Sequence, residues 1–399
     1  MVDMESRQRC GVTGEGGSMA VRGRWWSAAF CGAVLLAALT PAGAAASPVA
    51  SSTAPAPGSV VSQLPLPDEL SVPGAATAIK LEYATEWRSG EPTVATGALF
   101  LPGGDAPEGG WPVIAWAHGT TGVGDDCALT TRTPRSDLER TYLHHWLDSG
   151  YAVVSADFPG LGSEGLHRYL DGPSAANSIV DIVRAARDGG APLSERWIVM
   201  GQSQGGHAAL HTAAIATSRA PELDFRGTVA TGAPANLERA FTIGVPGFPD
   251  PGLWGLVSFS GYIFAGLRDA YPEADVESYL TPIGREVVDR AEELCYDDLE
   301  ESVRDIPVGD LLARPLAEGP MPSLLADYLA APVDGYDRPV FLAHGIHDVM
   351  VPLPLSAALA ADMKVAGADV DYRVYMAGHY TTVERSRADV DAFVTRSFE

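Results

Sequence analysis

The run Ile198-Val199-Met200-Gly201-Gln202-Ser203-Gln204-Gly205-Gly206 sets a hydroxyl between two glycines at a change of periodicity. An apolar stretch of strand character stops at Gly201, and an alanine-rich stretch of helical character begins just after Ser203. G-x-S-x-G at such a junction is the form of a nucleophile elbow, a sharp strand-to-helix turn that holds a serine hydroxyl above a sheet. The flanking positions call for glycine because the turn uses unusual dihedrals and brings backbones too close for a side chain. An ordinary glycine-rich turn with an idle serine has the same pattern, so the assignment depends on finding a base and an acid downstream.

A serine hydroxyl is a poor nucleophile until a base takes its proton. In folds with this elbow the chain order is nucleophile, acid, histidine. His379 follows the last strand-like run, in Met376-Ala377-Gly378-His379-Tyr380, and is the expected base. Asp348 follows the preceding run, in His344-Gly345-Ile346-His347-Asp348, and is the expected acid, orienting His379 and stabilising its imidazolium. The competing role for Asp348 is a turn or helix-entry aspartate. His207 and His211, one turn apart on the helix after Ser203, are expected to pack or face solvent, and His347 to be incidental. An oxyanion hole needs backbone N–H groups aimed at developing negative charge. Gln204 supplies one by position, and Thr120, with Thr121 next, is expected to supply the other from His118-Gly119-Thr120-Thr121-Gly122. His118 is read as bracing that loop.

These residues need a sheet to carry them. Strand-like runs cover Ala78–Trp87, Thr93–Leu101, Val113–Ala117, Tyr151–Ala156, Trp197–Met200, Gly227–Thr231, Val340–Ala343 and Val370–Tyr375. Helix-like runs cover Asp137–Ser149, Ala175–Asp188, Gln204–Ser218, Pro354–Ala366 and Thr382–Ser397. The first two strands read as a hairpin. The later ones alternate with helices, as a mostly parallel sheet flanked by helices requires. The alternation fails between 235 and 337. A structureless loop of that length is uncommon in a compact domain, so an inserted helical cap is expected there, with helical patterns at Gly252–Leu267, Ile283–Leu294 and Met321–Leu329. Its first part holds Trp254, Phe259 and Phe264, which either form the cap's own core or also line an acyl pocket.

The N-terminal segment 1–46 reads as a secretory signal. Arg22 and Arg24 precede an apolar run from Trp25 to Leu39, followed by Pro41 and the small residues Ala42 to Ala46. Met19 is a possible true start. The apolar run is shorter than the roughly 20 residues of a membrane span, so no stable membrane insertion is expected. Residues 47–65, rich in Ala, Ser, Pro and Val, read as a flexible or partly extended leader. The hydrolase core is then assigned to 66–234 and 338–399. Export removes Cys10 and Cys31 and leaves Cys127 and Cys295, which most simply form one disulfide, with two buried thiols as the alternative. The chain of 399 residues carries 27 basic and 51 acidic residues, a net charge of −24. Such a surface repels nucleic acid and anionic membranes. No H-E-x-x-H or P-loop is present, and the adjacent acids Asp125 and Asp126 read as a solvated loop, so no metal or other cofactor is expected. Asp157-Phe158-Pro159-Gly160-Leu161-Gly162 lacks the acidic partner of a dinucleotide site.

Together, Ala115 to Gly122, Asp157 to Gly162, Gly201 to Gly206, Gly345 to Asp348, and Gly378-His379 resemble the secretory lipase family of α/β-hydrolases, the lipase A type of yeasts and its secreted bacterial relatives. The resemblance runs from about residue 65 to the end. It implies an α/β-hydrolase fold with a helical cap, cleavage of acylglycerols or other carboxylic esters, and a nucleophile, acid and base at Ser203, Asp348 and His379. Acyl transfer to an alcohol, peptide cleavage, and a binding protein on a hydrolase scaffold stay open as alternatives. Acyl-chain preference and oligomeric state are not legible.

Overall fold

The computed structural model describes residues 54–399 except 133 and 254. The signal segment and the first residues of the leader therefore lie outside the described residues, as does Trp254. Nine strands make one sheet: β1 (Val60–Pro65), β2 (Thr77–Glu86), β3 (Pro92–Leu101), β4 (Trp111–Ala117), β5 (Ala152–Ala156), β6 (Leu193–Gln202), β7 (Asp224–Thr231), β8 (Val340–Gly345) and β9 (Val370–Tyr375). Their spatial order is β1-β2-β3-β5-β4-β6-β7-β8-β9. β1, β2, β3 and β5 pair antiparallel in succession, and β5 through β9 run parallel. The helices are α1 (Asp137–Asp148), α2 (Gly172–Asp188), α3 (Gln204–Arg219), α4 (Leu237–Phe241), α5 (Leu256–Ala270), α6 (Pro282–Glu293), α7 (Tyr296–Val303), α8 (Met321–Leu329), α9 (Leu353–Val365) and α10 (Thr381–Phe398).

Strand alternation explains the two cores. On one face Ala115, Val154 and Val199 pack with Ile179 and Val183 of α2 and Ala209 of α3. On the other, Ile114, Val153 and Ile198 pack with Leu143 and Trp146 of α1 and Phe393 of α10. With both faces covered, the central strands carry apolar residues at successive positions instead of alternating with polar ones. The helical starts follow capping chemistry: Ser136 accepts from the Glu139 amide at α1, and Asp171 and Thr281 cap α2 and α6 in the same way.

Two parts of the chain hold elements that the sequence reading did not place. The leader assigned to 47–65 ends in β1, which pairs along β2 from Val60↔Tyr83 to Pro65↔Ile79. This strand is mostly exposed, so it carries no two-faced hydrophobic pattern. It forms because β2 offers an unpaired backbone edge, and an edge position tolerates Pro65. Within the insertion, α4 and α7 were not anticipated. The sequence of α7, Tyr-Asp-Asp-Leu-Glu-Glu-Ser-Val, is mainly polar and buries only Leu299 and Val303. Asp297 and Asp298 in its first turn offset the positive end of the helix dipole.

Helices α4 to α8 lie between β7 and β8. They have their own cluster, including Tyr262, Phe264, Val287, Leu299, Met321 and Leu325, which also takes in Val123, Tyr169 and Leu170 from outside the insertion. A disulfide joins Cys127 to Cys295 at the start of α7. Beside it, the Tyr296 amide donates to the Thr121 carbonyl at 2.9 Å. The insertion is thus tied to the loop that leaves β4. Crosslinks closing loops of this length restrict the unfolded chain, so the Cys127→Ala/Cys295→Ala variant is expected to lose about 4 kcal/mol of stability. Urea unfolding checks this; an unchanged midpoint would contradict it.

Candidate active site

Ser203 stands at the junction of β6 and α3 with φ 55° and ψ −122°, a left-handed value that side chains other than glycine rarely adopt. Packing around the turn enforces it. A Cβ on Gly201 would lie 2.0 Å from the Gly205 carbonyl oxygen, and one on Gly205 would lie 1.9 Å from the Ala117 carbonyl oxygen. The first turn of α3 therefore rests against the end of β4, and only glycine permits the approach. The Ser203 amide donates to the Thr231 carbonyl at the end of β7, at 2.9 Å.

Asp348 lies on the loop between β8 and α9. Its Oδ1 accepts from the amides of Met350 and Val351 at 2.9 and 2.8 Å. Its Oδ2 accepts from His379 Nδ1 at 2.7 Å, and His344 Nε2 lies 3.3 Å from the same oxygen. Burial alone would raise the carboxyl pKa. The hydrogen bonds from His344 and His379, followed by the His379 charge and the Val351 amide, outweigh it and hold the pKa far below the usual carboxylate range. Because the carboxylate accepts at Nδ1, the neutral His379 ring keeps its Nε2 lone pair for another partner.

Ser203 stands at the carboxyl end of β6, and Asp348 and His379 follow β8 and β9 on the same side of β7 in the strand order. Gly232, directly after the Thr231 that binds the Ser203 amide, faces the His379 ring: a Cβ there would sit 3.3 Å from the ring and 3.7 Å from Asp348 Oδ2. His379 and Ser203 are 5% and 7% exposed, which keeps the site nearly dry.

Gln204 supplies the first amide of α3, one of the N–H groups a helix cannot satisfy internally. The loop with Thr120 runs beside it: a Cβ on Gly119 would come within 2.6 Å of Gln202 Oε1, and Thr120 Oγ1 is hydrogen-bonded to Tyr169 Oη at 2.6 Å. An apolar cavity of about 330 Å³ opens from Ser203. Phe259, Ile263 and Phe264 of α5, Leu312 and Leu316 of the insertion, and Met350 and Val351 beside Asp348 contribute to its wall. Phe259 and Phe264 thus belong both to the insertion's core and to the cavity.

The remaining histidines fall elsewhere. The rings of His207 and His211 lie 4.7 Å apart, tilted by 53°, and His207 Nδ1 donates to the Pro234 carbonyl. His347 is exposed. Asp126 pairs with Arg132 at 2.7 Å. His344 was not singled out from the sequence, although it lies four residues before Asp348. It is fully buried, donates to the Val351 carbonyl at 3.0 Å, and so braces both sides of the acid loop.

A family model described as Secretory lipase matches residues 127–315. The chain is similar to Lipase A of Moesziomyces aphidis, 23% identical over 355 residues that cover 82% of this chain and 73% of that protein. It is also similar to a secreted triacylglycerol lipase of Malassezia globosa, 26% identical over 59% of this chain and 50% of that protein. Among solved structures, Candida antarctica lipase A in its closed state superposes with a TM-score of 0.71 at 22% identity, covering 86% of this chain and 82% of that one. The rice cell wall degrading esterase LipA from Xanthomonas oryzae, in a ligand-bound form, gives 0.69 at 21% identity, covering 86% and 98%. At such identities these structures establish the shared fold.

Proposed function

We propose that this chain, a carboxylic ester hydrolase of the secretory lipase family with the α/β-hydrolase fold, is secreted and cleaves acylglycerols or related lipid esters through an acyl-enzyme on Ser203. The observation that carries the mechanism is the 2.7 Å bond from His379 to a buried, ionised Asp348, beside a serine held at positive φ. His379 Nε2 takes the Ser203 proton as Oγ attacks the ester carbonyl. The amides of Gln204 and Thr120 hold the oxyanion, each worth about 3 kcal/mol in the transition state. The imidazolium, stabilised by Asp348, then protonates the departing alcohol, and water repeats the sequence on the acyl-enzyme. The acyl chain occupies the cavity that opens from Ser203. Its wall has few polar groups to reward a charged or hydrophilic substituent. Secretion is supported by the family and by the N-terminal charged, apolar and small-residue order.

The test is release of p-nitrophenol from esters of increasing acyl length, run beside an aminoacyl nitroanilide. Ester hydrolysis without anilide hydrolysis is expected. Preferential anilide cleavage, or acyl transfer to an added alcohol in place of hydrolysis, would replace the reading with peptidase or acyltransferase chemistry.

Cavity filling gives a second check. Ile263 lines the cavity wall on α5. Ile263→Phe is expected to displace about two methylenes of a long acyl chain, each worth about 0.8 kcal/mol. The predicted cost is about tenfold in kcat/KM for long-chain esters, with little change for acetate or butyrate esters. An equal loss for all chain lengths would contradict a chain seated there.

A further inference from the structure

His118 is fully buried at the end of β4, and its ring is held from one side. It stacks on Phe158 with centroids 4.7 Å apart and planes 30° apart. Phe158, itself at φ 72°, stacks in turn on His167 at 5.7 Å. This column is immobilised from behind: His167 Nδ1 donates to the Pro159 carbonyl, and its Nε2 accepts from the side-chain amide of Gln204 at 2.7 Å. Asp157, next to Phe158, accepts from Thr96 Oγ1 at 2.8 Å and from Thr130. The Asp157 to Gly162 segment is thus a packed support behind the elbow.

The hydrogen bond that His118 makes is local and directional. Its Nδ1 donates to the Gly119 carbonyl at 2.7 Å. A carbonyl only accepts, so the ring must carry its proton on Nδ1. Burial lowers the imidazole pKa against the opposing charges of Glu139 and Asp157, and keeps the ring neutral. Among the described residues Nε2 has no partner, so this one bond is the polar interaction the buried ring makes. The Gly119 carbonyl and the Thr120 N–H belong to the same peptide unit. That unit is planar and trans, so the two groups point in opposite directions along one line. Whatever holds the carbonyl aims the N–H.

We propose that His118 is a positioning residue for the oxyanion hole: by holding the Gly119 carbonyl it fixes the peptide whose Thr120 N–H receives the oxyanion. The inference rests on the assignment of the Thr120 amide made above. The other contacts leave this rotation free. Gln202 lies against Gly119, Tyr169 holds the Thr120 hydroxyl, and the Tyr296 amide binds the Thr121 carbonyl, two peptides further on. None of these bonds the Gly119–Thr120 peptide itself.

The test compares three variants. His118→Leu keeps a buried apolar volume and loses the donor. His118→Asn carries an amide nitrogen at the position of Nδ1. His118→Gln moves that nitrogen outward, beyond reach of the Gly119 carbonyl. For His118→Leu and His118→Gln, kcat on a p-nitrophenyl ester is expected to fall by about 100-fold with KM unchanged, the size of a lost oxyanion donor. Affinity for an alkyl boronic acid, whose adduct puts an oxygen in the hole, should fall by a similar factor. His118→Asn should return kcat to within about tenfold of wild type. The inference is overturned by a folded His118→Leu or His118→Gln protein with kcat within threefold of wild type. It is also overturned if the loss appears in KM, or if asparagine rescues no better than leucine. Should the leucine variant not fold, the glutamine and asparagine pair decides. Ser203→Ala, assayed in parallel, separates the two levels: if it stays active the mechanism itself fails, whereas if it is inactive and His118→Gln is wild-type, only the role of His118 fails.

Discussion

Ser203→Ala is expected to lower kcat for ester hydrolysis by about a million-fold, leaving a residue of rate from the oxyanion donors and binding alone. The other hydroxyls described on the cavity wall are engaged: Ser260 donates to the Leu256 carbonyl, and Tyr169 is bonded to the Thr120 hydroxyl. Alanine at the elbow keeps the Cβ already accommodated at φ 55°, so the folded state should survive with its melting behaviour intact. Stoichiometric labelling of wild type by an alkyl fluorophosphonate, and none of the variant, would report the same loss independently of turnover. A Ser203→Ala protein with undiminished esterase activity would sink the acyl-enzyme mechanism.

Asp348→Asn is expected to cost about 10⁴-fold in kcat with a small change in KM. The cause is the tautomer. Oδ1 is committed to the Met350 and Val351 amides, so the asparagine NH₂ must take the place of Oδ2 and face His379. Two donors cannot share that contact, and the imidazole moves its proton to Nε2, where it can no longer accept from Ser203. The same substitution has a pH signature. The folded-state pKa of Asp348 is depressed by His344 and His379 despite burial. Its contribution to stability is therefore complete above the unfolded carboxyl value of about 3.9 and is lost as pH falls below that toward the folded value. The stability advantage of wild type over Asp348→Asn should be constant from pH 5 upward and shrink in acid. An advantage that grew on acidification would contradict the assignment of an ionised Asp348.

The elbow was legible because it is local. A strand run, two glycines around a serine and a helix run lie within a few residues, and each has a steric reason that the backbone of Gly201, Ser203 and Gly205 bears out. Asp348 and His379 could be proposed from chain order, since each follows a short strand-like run. The parallel strands and most helices were legible from periodicity, and Met321–Leu329 coincides with α8. What escaped has physical causes too. β1 forms by pairing an exposed edge, which needs no amphipathic pattern. Helix α7 is polar, and His344 looks like any strand-end histidine until its distance to Asp348 is known.

By itself the sequence determined the alternation of strands and helices, the strained turn at Ser203, and the chain order of Ser203, Asp348 and His379 on which the proposed nucleophile, acid and base rest, because these depend on steric and periodic relations between near neighbours. Only the tertiary structure decided which atoms meet. It brought His379 Nδ1 to Asp348 Oδ2 across 31 residues, joined Cys127 to Cys295 across 168, and enclosed an apolar cavity between the helical insertion and the strand ends at Ser203. Each of these is a contact between segments distant in the chain, set by how the helices pack on one twisted sheet. No local pattern encodes the distance between two loops at its edge. The column of His118, Phe158 and His167 beside the Gly119–Thr120 peptide is of the same kind.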